Sequence, residues 1–255
     1  MSLSQTPRAD FGPLARRYDE LRDSGDLWWK AIEVLAREAD LRGRRVLDVG
    51  CGTGMLAAAL AERYGCKVWG IDASPEMIEV ARERVPEGVG LRVGAAEELE
   101  FKDGWFERAV TVFAVQHFDR PRAFAEIHRV LQSAGVFGIG TFDPAHFDDY
   151  YLTPYFPSIP VIDRARFPSA EALDEELGAA GFGSVRFVRF TQRDRFVSRE
   201  TVLERIRNRH ISTFQLIDED EYRAGLERAE RELPAQIEHV QEWLVAVAAK
   251  ELDSQ

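Results

Sequence analysis

The chain has 255 residues, 45% hydrophobic and 30% charged, with a formal net charge of −11. That length suits one α/β core and is short for two, while the acidic balance argues against nucleic acid or an anionic membrane as partner, since either would call for a basic stripe. Two cysteines, Cys51 and Cys66, are too few for a disulfide framework or a zinc cluster, so no metal site is expected.

In chain order, residues before Ala9 are expected to be disordered, and Phe11 to Asp40 reads as two helical pieces, with Trp28, Ile32, Leu35 and Ala39 spaced for one buried face. Arg42, Arg44 and Arg45 read as a solvated edge leading into a strand. The run VLDVGCGTG, Val46 to Gly54, follows. Val46, Leu47 and Val49 make a buried strand, and Gly50, Gly52 and Gly54 allow a sharp turn and close approach of backbone to a ligand. A helix from Met55 to Glu62 aims its N-terminal amides at the same spot. A dinucleotide fingerprint needs its third glycine where Met55 stands, and the G-K-[ST] triplet of a P-loop is absent. Asp48 is out of place in a buried strand unless it has a hydrogen-bonding task, which a cationic ligand group would provide.

The next strand, Lys67 to Ile71, ends in Asp72, which lies 20 residues beyond Gly52. A carboxylate at that tip and spacing accepts the hydroxyls of a ribose. Ser74, Pro75 and Glu76 open a helix with Met77, Ile78 and Ala81 inward. Further strands are expected near Leu91 to Val93, Arg108 to Val115 and Gly135 to Phe142, with helices between them. In the helix after Asp119, Phe124, Ile127 and Leu131 form one stripe and His128 sits at its rim. Strict alternation of strand and helix predicts a doubly wound parallel sheet that binds ligands beyond the carboxyl ends of its strands.

From Asp148 to Phe167 regularity is lost, and Tyr150, Tyr151, Tyr155, Phe156 and Phe167 crowd among Pro154, Pro157, Pro160 and Pro168. The segment is either a lid over a binding site or a crossover whose aromatics simply pack. Ser169 to Gly181 reads as a capped helix, and Val185 to Val197 as two short strands closing the sheet in an antiparallel pair. Ser198 caps a helix to Arg209, another starts near Asp218 with Leu226, Ala229 and Leu233 inward, and Pro234 restarts a third. The stripe of that third helix, Ile237, Val240, Leu244 and Val247, either packs on the parent domain or pairs with a second copy, so a monomer or homodimer is expected. Arg209, His210 and Ser212 either orient a ligand or simply solvate a helix end. The expected fold is α/β: a doubly wound Rossmann-like sheet of seven strands, mostly parallel with an antiparallel edge, plus a helical cap. It divides into N-terminal cap helices at 1–40, a core at 41–200 with a lid insertion at about 148–167, and a C-terminal helical cap at 201–255.

VLDVGCGTG, GIDASPEMIEVARER, VGAAEELEF, DGWFERAVTVFAVQHF and EIHRVLQSAGVFGIGTF together resemble the motifs of the class I S-adenosylmethionine-dependent methyltransferases, small-molecule branch, from about Phe11 to Phe142. The resemblance implies S-adenosylmethionine as cofactor, with Asp48, Gly50, Cys51 and Gly52 at its methionine end and Asp72 on its ribose. Ala95, Ala96 and Glu97 lie on the adenine side, and Tyr18, Ala73, Met77 and Phe113 complete the set. Tyr18 and Arg22 match a helix that folds over the cofactor in similar enzymes. The chain departs from the family pattern at Ala95, where many relatives carry an aspartate, at Glu107 after Phe106, and at Gln132, Ser133 and Ala134.

The cofactor's methyl is already activated, so the protein has to align the acceptor, exclude water and, where needed, remove a proton. His117, at the end of the fourth strand, is the candidate catalytic base or else a wall residue. Ala114, Val115, Gln116 and His117 stand where resembling nucleic-acid methylating branches carry a proline-proline-aromatic motif. A small, mostly apolar or aromatic organic acceptor is therefore expected, methylated on oxygen, nitrogen or carbon. The rival readings are a non-catalytic S-adenosylmethionine-binding regulatory protein, suggested by Ala95 and the lack of an obvious base, and an NAD-dependent oxidoreductase, disfavoured by Met55 and Asp48. With no charged leader followed by an apolar core, and no run of 18 apolar residues, a cytoplasmic location is expected.

Overall fold

A computed structural model of the chain describes residues 12–21 and 26–252; Arg22 and the segment before residue 12 fall outside them. The elements run α1 (Tyr18–Leu21), α2 (Asp26–Glu38), β1 (Arg45–Val49), α3 (Met55–Tyr64), β2 (Lys67–Asp72), α4 (Pro75–Arg84), β3 (Gly90–Val93), β4 (Phe106–Val112), α5 (Arg120–Val130), β5 (Leu131–Phe142), α6 (Ser158–Arg166), α7 (Ala170–Ala179), β6 (Phe182–Ser198), α8 (Arg199–Arg207), α9 (Glu219–Glu232) and β7 (Gln236–Lys250). The strands form one sheet in the order β3-β2-β1-β4-β5-β7-β6. Pairing from β3 to β5 is parallel, and β7 runs antiparallel between β5 and β6. The chain winds outward from β1 in one direction and from β4 in the other. The carboxyl ends of these two neighbours thus form the switch point at which such sheets bind ligands.

Both faces of the sheet are covered, as parallel strands require. Leu47, Val49, Ala109, Leu244, Ala246 and Ala248 point into one layer with α5 and α7, while Val46, Val110, Val245 and Val247 point into the other with α2 and α3. On α2, Ile32, Leu35 and Ala39 are buried in the second layer as their spacing predicts. A third apolar cluster lies at the end of the β6–β7 pair, where Val197 and Ile237 meet Leu152, Phe156, Ile159, Val202, Ile206, Phe214 and Tyr222 and join α6, α8 and α9 to the sheet. Helix starts follow their side-chain caps: Ser74 accepts from the Met77 amide, Ser169 from Ala172, Ser198 from Thr201, and Asp218 from Asp220 and Glu221.

Three expectations are corrected. Residues from Pro234 onward do not form a third tail helix. Gln236–Lys250 is strand β7, so the C-terminal cap at 201–255 loses its last segment to the sheet and the helical seam for a second copy disappears. Every residue from Trp243 to Ala248 is buried, and such an unbroken apolar run is a strand covered on both faces, whereas a packed helix buries one stripe. Second, Val185 to Val197 is not two strands but part of the single 17-residue β6, whose expected break is a register shift between Gln192 and Arg195. Third, the stretch 148–167 is partly helical. Pro157 stands at the N-cap of α6 and Pro160 in its first turn, where no intrahelical amide bond is lost.

Candidate active site

The loop after β1 turns on glycines in the left-handed region, with φ of 73° at Gly50, 53° at Gly52 and 78° at Gly54. A Cβ on Gly50 would lie 2.4 Å from Ala114 Cβ, so this glycine is set by packing against the segment after β4. Gly52 differs, because nothing lies within 4 Å of a Cβ placed there. That space belongs to a cavity of about 850 Å³ at the switch point. Its walls come from the carboxyl ends of the strands, from α1 and α2, and from the segments around α6 and α8.

Asp48 shares the Val46 face of β1 and pairs in register with Gly70 and Val110. It is fully buried, yet neither carboxylate oxygen has hydrogen-bond geometry to any described group. Burial and the charge of Asp72 push its carboxyl up to about 8, against the pull of the Ala57 amide. An unpaired buried carboxyl is costly unless something completes it. Asp72 is better satisfied: its Oδ2 accepts from the Gly52 amide at 2.8 Å and its Oδ1 from the Ser74 amide at 2.9 Å. Burial raises its carboxyl above the usual range, countered by these amides and that of Ala73. Cys51, buried beside both carboxyls, has its thiol pushed well up, so it is no nucleophile.

The segment after β3 places Ala95, Ala96 and Glu97 on the cavity, and Glu97 accepts from the Asp119 amide at 2.8 Å. Beyond β4, Phe113 takes a left-handed φ of 55°, an uncommon conformation for a side chain of that size. Its ring stands 4.7 Å from Trp243 and 4.5 Å from Phe142. His117 closes the 3-10 turn Val115–His117, with Arg166 Nη2 3.4 Å from its Nδ1 and the Gln116 amide 3.3 Å from its Nε2. Over the glycine loop, Asp19 accepts from Thr53 Oγ1 at 2.9 Å and pairs with Arg84 at 2.5 Å, holding Tyr18 against the cavity.

All thirteen residues expected to form the site line this one cavity: Tyr18, Asp48, Gly50, Cys51, Gly52, Asp72, Ala73, Met77, Ala95, Ala96, Glu97, Phe113 and His117. From the aromatic segment, Tyr150 and Phe167 also reach it, whereas Tyr151, Tyr155 and Phe156 pack with the third cluster. His210 and Ser212 line it as well. Arg209 does not; it pairs with Glu219 and lies over the Tyr222 ring. Among the residues that sequence reading missed are Trp28, Phe142, Phe147, Asp163, Arg205, Thr213 and Trp243 in the lining and Arg166 behind it. Only the burial of Arg166, at 4% exposure, marks it out, and that is a property of the fold.

A buried unpaired carboxyl, a glycine with open space before it and a second carboxyl 20 residues on suit a ligand with a cationic group and a ribose. The model for the methyltransferase domain matches residues 46–135. The chain is 34% identical over 210 residues to the ubiquinone/menaquinone biosynthesis C-methyltransferase UbiE of Citrifermentans bemidjiense, covering 70% of this chain and 88% of that one. The chain belongs to the class I S-adenosylmethionine-dependent methyltransferases. The demethylmenaquinone methyltransferase of Chlorobaculum parvum is 29% identical over 201 residues, covering 65% of this chain and 78% of its own. The fold matches the putative methyltransferase from an antibiotic biosynthesis pathway of Anabaena variabilis with a TM-score of 0.67 at 22% identity, over 84% of this chain and 96% of that one.

As a member of this family, the methyltransferase uses S-adenosylmethionine and transfers its methyl group to a small organic molecule. Among the described residues no cluster of His, Cys, Asp or Glu is arranged to hold a metal ion, and no helix is long and apolar enough to cross a membrane.

Proposed function

We propose that Asp48, Gly50, Cys51 and Gly52 receive the methionine end of S-adenosylmethionine, Asp72 with Ala73 its ribose, and Met77, Ala95, Ala96 and Glu97 its adenine, with Tyr18 and Phe113 enclosing it. The single observation that carries this reading is the buried Asp48 carboxyl with both oxygens unmet beside the open face of Gly52. When bound, the cofactor supplies an activated methyl group. The chain's part is to hold it, to exclude water with the rings of Phe113, Phe142 and Trp243, and to align the acceptor. We assign proton handling to His117, which borders the same cavity where the fourth strand ends.

The acceptor is a small, mostly apolar or aromatic molecule rather than a nucleic acid. Support comes from a lining rich in Phe113, Phe142, Phe147, Tyr150, Phe167 and Trp243, and from quinone-pathway relatives whose names include a carbon methylation. The segment from Pro144 to Phe167, with α6, serves as the cover over the acceptor, and α1 with α2 as the cover over the cofactor. The test is calorimetry with S-adenosylhomocysteine and NAD. Binding and a raised melting temperature with the first alone are expected, about 2.7 kcal/mol of added stability at 100 times its dissociation constant. Binding of NAD instead would overturn the reading.

A further inference from the structure

The acceptor end of the cavity holds a carboxylate with no assigned task. Asp163, on α6, lines the cavity and keeps 13% of its side chain exposed. Its Oδ1 is occupied, accepting from Thr213 Oγ1 at 2.6 Å with Arg166 Nη1 at 3.5 Å. Its Oδ2 has no partner among the described residues. Arg166, buried behind it, also reaches Ser212 Oγ at 3.0 Å and His117 Nδ1 at 3.4 Å. One guanidinium thus ties α6 to the turn after β4 and to the turn after α8.

We propose that Asp163 anchors the methyl acceptor, its Oδ2 accepting a hydrogen bond from an O–H or N–H group carried on an aromatic or apolar body. A nearly desolvated carboxylate with one oxygen tied down and the other facing a cavity is completed by a donor, and a ligand supplies that donor at the cost of the fewest rearrangements. Burial pushes the Asp163 carboxyl up to about 6 even beside Arg166, which fits a site lacking a partner. The body of the ligand meets rings already assembled next to this carboxylate. Phe167 follows α6 directly and lies 5.2 Å from Phe147 and 6.4 Å from Phe142. Thr213 and Arg166 act as positioning residues, since they fix which oxygen of Asp163 faces the cavity.

The inference rests on the proposed cofactor site, and the experiment separates the two. Protein saturated with S-adenosylhomocysteine is titrated with 4-methylphenol, benzylamine and benzoate, for wild type and Asp163→Asn. In the variant, Thr213 still donates to the amide oxygen, which turns the amide nitrogen toward the cavity and inverts the polarity there. Expected is a preference of the wild type for 4-methylphenol or benzylamine over benzoate. Asp163→Asn weakens those two by about tenfold or more, as for a lost bond to a charged group, and improves benzoate, with S-adenosylhomocysteine affinity unchanged. The larger of the two losses tells whether the acceptor group is a hydroxyl or an amine. Equal affinities in both proteins, a wild-type preference for benzoate, or no millimolar binding of either donor overturns the inference. Failure of S-adenosylhomocysteine to bind wild type sinks the cofactor reading instead. If Asp163→Asn does not fold, Asp163→Ser removes the carboxylate, and an unchanged preference there also overturns the anchor.

Discussion

Arg166 Nη2 stands 3.4 Å from His117 Nδ1, and a guanidinium can only donate. The contact therefore presents Nδ1 as a lone pair to α6 and places the proton of a neutral ring on Nε2; the Gln116 amide nitrogen 3.3 Å from Nε2 is itself a donor, given to the Phe113 carbonyl at 2.8 Å, so it is a neighbour of that N–H and not its acceptor. The ring is thus tied through Nδ1 to a residue 49 positions away in sequence. If α6 is the cover over the acceptor and His117 handles the proton, as proposed, this contact links the two.

His117→Ala tests that role. As a proton-handling group its loss lowers turnover by about 10²-fold or more, while S-adenosylhomocysteine affinity stays within experimental error because Asp48 and Asp72 are untouched. Steady-state kinetics at saturating acceptor decides. Full turnover with a raised KM makes His117 a wall of the acceptor site and removes it from the chemistry.

Asp72 carries two loads, since it orders the loop through the Gly52 and Ser74 amides and is the proposed ribose contact. Each hydrogen bond to a charged group is worth roughly 1.5–3 kcal/mol. Asp72→Ala is accordingly expected to weaken S-adenosylhomocysteine by at least tenfold in calorimetry, with a milder loss for Asp72→Asn, which keeps one acceptor oxygen. Wild-type affinity in Asp72→Ala would remove the residue from the cofactor site.

The glycine loop gives two opposite outcomes. In Gly50→Ala the new Cβ meets Ala114 Cβ at 2.4 Å, so the fold must shift and the melting temperature falls. In Gly52→Ala the Cβ meets no protein atom and enters the cavity, so the protein pays mainly the left-handed strain of about 1–2 kcal/mol. Its melting temperature therefore stays closer to wild type while cofactor affinity drops at least tenfold. Thermal unfolding with and without S-adenosylhomocysteine reads both. Equal cofactor affinity in Gly52→Ala and wild type would place the ligand elsewhere.

Why the cofactor half was legible and the acceptor half was not follows from chain distance. Gly50, Gly52 and Asp48 sit on one strand and turn, and Asp72 closes the next strand, so spacing alone brings them together. Asp163, Arg166 and Thr213 meet across 50 residues and two helices, and no local pattern marks an α6 arginine as facing the turn after β4. Prolines concealed α6 itself, because Pro157 and Pro160 read as breakers although they fall where a helix start tolerates them. In β7, Trp243 to Ala248 form an apolar run whose period is lost because both faces are covered.

Asp48 makes the stability of the ligand-free protein depend on pH in a stated direction. Its folded carboxyl is raised to about 8, against roughly 3.9 in an unfolded chain. The folded form therefore holds a proton that the unfolded form has lost, and the stability from this group, full below about pH 4, is lost as pH rises through about 8. Asp48→Asn cannot titrate, so the difference in unfolding free energy between variant and wild type should grow in favour of the variant from pH 5 to 8, measured by urea denaturation. A cationic group arriving beside Asp48 stabilises the ionised form, so S-adenosylhomocysteine binding at pH 7 should release a proton in the wild type and a smaller fraction in Asp48→Asn, read by calorimetry in buffers of different ionisation enthalpy. A pH-independent stability difference together with identical proton release in the two proteins would show that Asp48 is not the carboxyl that receives the cofactor's cationic end.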